Sequence, residues 1–167
     1  MLRQVALAAT CVMLSHGAQA ATISWTATLD QTQEVPTPVA VPGASGSAFG
    51  TVDTVTGLLE WSLSFEGLSG APVGAHFHAP ALPGATAPVV VSIGDISGLD
   101  SPSVGSTTIP LEGVEALLDG LYYINVHTEL NPAGEIRGQA SPVPVPAALP
   151  LLLVALGAMG LAARRRA

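Results

Sequence analysis

Residues 58–66 read Leu58-Leu59-Glu60-Trp61-Ser62-Leu63-Ser64-Phe65-Glu66. From Leu59 onward the run alternates without a break, with Leu59, Trp61, Leu63 and Phe65 apolar and Glu60, Ser62, Ser64 and Glu66 polar. A period of two sends successive side chains to opposite faces, so this is a strand with one buried and one wet face. The pattern recurs on both sides of it. Ile23, Trp25, Ala27 and Leu29 alternate with Ser24, Thr26 and Thr28, and Tyr122, Ile124, Val126 and Thr128 alternate with Tyr123, Asn125 and His127. Glycine-bearing breaks separate these runs at Asp53–Gly57, Gly67–Gly70 and Asn131–Gly134, as turns require. Val89-Val90-Val91-Ser92-Ile93 reads as a more central strand, and Pro36–Ser45 as the longest loop. One helix is expected from Leu111 to Asp119, entered through Pro110 and closed by Gly120, with Leu111, Val114 and Leu118 on one face. Short one-sided strands with a single brief helix predict an all-β fold, an antiparallel Greek-key β-sandwich over residues 21–141.

The charges are distributed unevenly along the 167 residues. All twelve carboxylates lie between Asp30 and Glu135, accompanied by one arginine, Arg137, and no lysine occurs anywhere. The middle of the chain therefore carries a net charge of −11. Nucleic-acid binding is excluded, because neutralising phosphates needs a basic surface. The single cysteine, Cys11, lies in the first segment, which excludes a disulfide framework or a zinc-thiolate site.

The two ends read as addresses. Residues 1–20 combine a positive start at Arg3, an apolar run from Val5 to Leu14, and small residues at Ala18 and Ala20. That is the layout of a secretory signal peptide cleaved after Ala20; ten apolar residues are too short to span a bilayer. At the other end, a Pro-rich linker and motif over residues 142–147 leads into seventeen uncharged residues, Ala147–Ala163. As a helix these span ~25 Å, enough for a thin membrane. Arg164, Arg165 and Arg166 follow, marking residues 164–167 as a cytoplasmic tail under the positive-inside rule. Val143-Pro144-Val145-Pro146-Ala147, the apolar helix and the arginine cluster together resemble the PEP-CTERM class of bacterial sorting signals in its VPLPA-type variant. Val145 stands where that variant has leucine. The resemblance implies an exosortase-like membrane sorting protease as a partner. A plain single-pass anchor in the inner membrane is the other reading. Under either, residues 21–141 lie outside the inner membrane, held at the envelope or released.

Three histidines remain after signal cleavage. His76 and His78 flank Phe77 and, on a strand, point to one face ~6.6 Å apart. Two imidazoles so placed can converge on one metal with bonds of ~2.0–2.1 Å. His127 shares a face with Tyr123 and Asn125 on another strand, and would complete a three-histidine site if the two strands were neighbours. Glu129 and Glu135 are candidate oxygen ligands or supporting partners. The alternative is a structural polar patch. Asn131-Pro132-Ala133-Gly134 is turn chemistry that predicts a hairpin between Leu121–Thr128 and Glu135–Ala140. Arg137, the domain's lone cation, is expected to bond a carboxylate, and Asn125 and Thr128 to satisfy backbone groups.

Four segments carry a further resemblance: Gln33–Pro36, Ala75–His78, Tyr123–Thr128 and Asn131–Gln139. Together they are similar to the CHRD domain, the module repeated in chordin and found singly in many bacterial exported proteins. The likeness runs from about Ile23 to Ala140, with Phe77 where Ile or Val usually separates the histidine pair. It implies an extracellular β-sandwich module.

Two functional readings follow. The first is an exported, non-enzymatic binding or structural module, with His76, His78 and His127 as a candidate metal site and Asn125, Glu135 and Arg137 in supporting or structural roles. No Gly-x-Ser-x-Gly, phosphate loop or free thiol argues for an enzyme. The alternative is a mononuclear copper or zinc protein with superoxide-dismutase-like redox or hydrolytic activity, which a histidine-bearing sandwich invites by analogy alone. Calcium at the acidic stretch Asp95–Asp100 has no EF-hand spacing behind it.

Overall fold

The computed structural model describes residues 21–144. Nine strands follow one another as β1 (Thr22–Asp30), β2 (Ser45–Asp53), β3 (Leu58–Glu66), β4 (Pro72–His78), β5 (Val89–Ser92), β6 (Ser103–Thr108), β7 (Tyr123–Thr128), β8 (Ile136–Gln139) and β9 (Ser141–Pro142). A five-residue helix, α1 (Ile93–Ser97), precedes β6, and α2 (Leu111–Leu118) precedes β7. Every strand pairing is antiparallel.

The strands form one curled sheet in the order β5-β4-β7-β8-β1-β2-β3-β6, with β9 also against β1. The all-β antiparallel expectation holds and the layering is sandwich-like. The hydrogen-bonded ladder, however, is continuous where two sheets were expected. The reason is β1, which lies between β2 and the β8–β9 stretch and joins the halves through Asp30 with Arg137, Thr26 with Ser141 and Trp25 with Pro142. Alternation reveals which face of a strand is buried but not which strands share hydrogen bonds.

The core fills the concave side. Phe77 of β4 meets Trp25 of β1 and Trp61 of β3 edge-on, with ring centroids 5.6 and 5.7 Å away, the arrangement aromatic quadrupoles favour. Register makes room for these indoles. Trp25, Gly50, Trp61 and Gly105 lie side by side on four adjacent strands, so large and small residues alternate across the sheet. A methyl group on Gly50 would sit 2.8 Å from the Trp25 ring and collide with the Glu60 carbonyl. Gly50→Ala should therefore destabilise the fold by about 3 kcal/mol; an unchanged urea midpoint would show that the sheet relaxes around it.

Three details differ from expectation. The Val89–Ser92 strand is at the sheet edge, because only Val91 of its valines is buried while Val89 and Val90 remain half exposed. Helix α2 buries Val114 and Leu117, and Leu111 in its first turn faces solvent. The expected wet face of strand β7 is reduced to half-buried His127, since Tyr123 and Asn125 are buried like Ile124 and Val126. Segments Thr32–Val35 and Pro83–Gly84 line a cleft with Arg137 and Gln139, the β8 residues opposite Asn125 and Tyr123, and Gln139 donates to the carbonyls of Ala81 and Gly120, both at 2.8 Å.

No helix among the described residues is long and apolar enough to cross a membrane. The expected signal peptide (residues 1–20), the motif from Val145 onward, the membrane helix (147–163) and the arginine tail lie outside the described residues. Val143, the first motif residue, donates its N–H to the Ser24 carbonyl at 2.8 Å, so the chain leaves along β1.

Candidate metal centre

Strands β4 and β7 are neighbours, with His76 opposite Asn125, His78 opposite Tyr123 and Gly74 opposite His127. That register brings the three histidines together on the convex face, with one ring nitrogen from each within 4.8 Å of the others. His76 Nδ1 and His127 Nε2 are 3.0 Å apart. Two imidazoles on one tetrahedral ion at ~2.0–2.1 Å stand ~3.3 Å apart, so a shift of a few tenths of an ångström admits a metal between them.

Backbone carbonyls orient two of the rings. His78 Nδ1–H donates to Ala87 O at 2.8 Å, and His127 Nδ1–H to Pro132 O at 3.1 Å. Each bond leaves Nε2 as the bare lone pair, the tautomer a metal-binding histidine needs. Burial, aided by neighbouring positive charge, holds all three below the ordinary histidine range; His127 is lowered to about 4. The triad is neutral at pH 7, and the bare Nε2 of His127 accepts from His76 Nδ1–H.

Gly74 is a site residue that strand periodicity does not reveal. A methyl group there would lie 3.1 Å from His76 Cε1 and 3.4 Å from His127 Cδ2, so the glycine provides the space in which the two rings meet. Tyr123 is another. Its ring stacks on His78 with centroids 4.8 Å apart and planes 4° from parallel. Because β7 lies between β4 and β8, the phenol also carries Arg137, whose Cζ is 3.5 Å from the ring centroid, a cation–π contact.

The supporting residues expected from the sequence divide. Arg137 is 1 % exposed and rests on Tyr123 instead of pairing closely with a carboxylate; it also donates to Gln139 Oε1 at 3.4 Å, and Glu34 acts on it only through charge. Asn125 is 3 % exposed and satisfies no backbone group through Oδ1, which has no hydrogen-bond partner. Glu135 is absent from the metal cluster, because its oxygens accept from Ser69, Thr128 and Asn131. Glu129 and the Asp95–Asp100 stretch are also outside that cluster, although Asp95 acts on His76 through its charge. Thr128 does bond backbone as expected, accepting from Asn131 N–H at 3.2 Å.

Glu34 enters from the loop after β1 and is 4 % exposed. Desolvation raises its pKa to about 7 against the opposing pull of Val35 N–H and Arg137. It packs against Gly134, where φ is +136° and any side chain would strike the Glu34 carboxylate. The Asn-Pro-Ala-Gly turn thereby forms the predicted β7–β8 hairpin and also houses this acid.

No curated protein and no solved structure matches the chain significantly. A family model does match: that of the CHRD domain, over residues 25–140. This span takes in all three histidines, the strands that carry them and the turn behind Glu34. The chain belongs to the CHRD-domain family.

Proposed function

We propose that this protein is an exported, non-enzymatic binding module that holds one copper or zinc ion on His76, His78 and His127. The observation that carries the reading is the convergence of three neutral imidazole nitrogens within 4.8 Å of one another, two of them oriented by backbone carbonyls. Nitrogen donors of this kind suit zinc and copper over calcium or magnesium. Glu135, weighed from the sequence as an oxygen ligand, lies outside the cluster and has its oxygens committed to Ser69, Thr128 and Asn131.

The path of the chain supports display from an envelope. Val143 pairs beside Ser24 near the start of β1, so both ends of the domain leave together. The triad lies level with Asp30 at the far end of that strand, through the row Asp30, Arg137, Asn125 and His76. Six residues of strand, Ser24 to Asp30, separate the two levels, roughly 20 Å. A tail anchored in the inner membrane, or re-anchored by an exosortase-like sorting protease, would keep the metal site on the outward end.

Elemental analysis of the purified protein should find one zinc or copper per chain, and the triple variant His76→Ala, His78→Ala, His127→Ala should contain none. Stoichiometric metal in the triple variant would move the site elsewhere. Export is tested separately: envelope material should begin at Ala21, and a Met1 start would defeat that part of the reading.

A further inference from the structure

We infer that the Asn125 amide oxygen is the fourth ligand, closing the histidine triad into an N3O site with no open coordination position. The inference rests on the triad reading and adds to it the character of the site.

Asn125 occupies the centre of the cluster. It faces His76 across the β4–β7 ladder and lies two residues from both His127 and Tyr123, on their side of β7. Its side chain is 3 % exposed, and its amide oxygen has no hydrogen-bond partner.

The bonding around this oxygen is incomplete. Asn125 Oδ1 and His78 Nε2 are both buried and both without a partner. Each is an acceptor here, because the only proton on the His78 ring is on Nδ1 and donates to Ala87 O. A buried polar atom with no partner costs about 1–3 kcal/mol, and two on neighbouring strands call for a shared electrophile. A water could donate to both. A metal ion satisfies both and also takes the lone pair of His127 Nε2 and, once its proton leaves, that of His76 Nδ1.

The consequence is chemical. A zinc or copper site with three protein ligands keeps a position for water or substrate, whereas four protein ligands leave a holding site. Cobalt(II) loaded into the full chain distinguishes them. The wild-type complex should show the intense visible absorption of a four-coordinate ion, unaltered by azide. Asn125→Leu should bind cobalt at least tenfold more weakly, with a spectrum that azide now shifts, while Asn125→Asp, which retains an oxygen there, should keep the wild-type spectrum. A wild-type spectrum that responds to azide would overturn the inference, as would an Asn125→Leu protein with unchanged affinity and spectrum. The wild-type azide test needs no variant to fold. Cobalt retained by His76→Ala would instead overturn the triad itself, so the two failures are distinguishable.

Discussion

Zinc or copper at a free concentration of about a hundred times its dissociation constant should raise the melting midpoint by about 10 °C, and His76→Ala should abolish the shift. A ligand that binds only the folded state at that excess contributes about 2.7 kcal/mol, and in a domain of this size each kcal/mol is worth about 3–5 °C. The unfolded chain gains little from the metal, because His127 is some fifty residues from the other two in sequence and only the β4–β7 pairing unites them. Without metal, His76→Ala loses the contact with His127 and should cost only about 1 kcal/mol. A thermal-shift series with each metal, on wild type and variant, separates the two effects. An equal shift in both proteins would show that the metal binds elsewhere.

Glu135→Ala should cost about 4 kcal/mol, a large share of the stability of a single domain. The Glu135 carboxylate is fully buried and accepts from Ser69 N–H at 2.7 Å, Thr128 Oγ1 at 2.5 Å, Asn131 Nδ2 at 3.2 Å and the Ser69 hydroxyl. Asn131 in turn accepts from Val39 N–H at 2.7 Å and donates to Val39 O at 3.2 Å. One anion therefore ties the β3–β4 connection, the β7–β8 turn and the long Pro36–Ala44 loop together. Burial alone would raise its pKa, but the four donors outweigh burial and hold it below the ordinary carboxylate value. A depressed folded-state pKa contributes stability that is complete at neutral pH and disappears as pH falls through that pKa. Glu135→Gln, which keeps the shape and loses the charge, should therefore be about 2 kcal/mol less stable than wild type at pH 7. The gap should narrow below about pH 4. Urea melts of both proteins at pH 7 and pH 3.5 measure it, and a variant more stable than wild type at pH 7 would show that burying this charge costs more than its hydrogen bonds return.

The strand faces were legible because alternation is local. Trp25, Leu59, Trp61, Leu63, Ile124 and Val126 all face the core their periodicity assigns them. The Asn131–Gly134 turn was legible for the same reason, as was the shared face of His76 and His78. What the pattern missed was covered by something distant in sequence. Tyr123 and Asn125 alternate as outward residues, yet both are buried, and Ala87 of the β4–β5 connection donates its N–H to the Tyr123 hydroxyl. Glu34 gave no sign of being a buried acid, because its burial depends on Gly134, a hundred residues further along. Of the supporting or structural roles expected for Arg137 and Glu135, the contacts made are structural ones with other elements, Tyr123 for the cation and the Ser69 loop for the anion.

By itself, then, the sequence determined the extended strands, their inward faces, the hairpin and the presence of three histidines in two outward clusters. Each of these follows from backbone geometry over a few residues. Only the tertiary structure decided that β4 lies beside β7, that one sheet curls through β1, and that Gly74 belongs with the histidines. Those outcomes depend on which distant segments pack together, and packing is a property of the whole chain that no local period encodes.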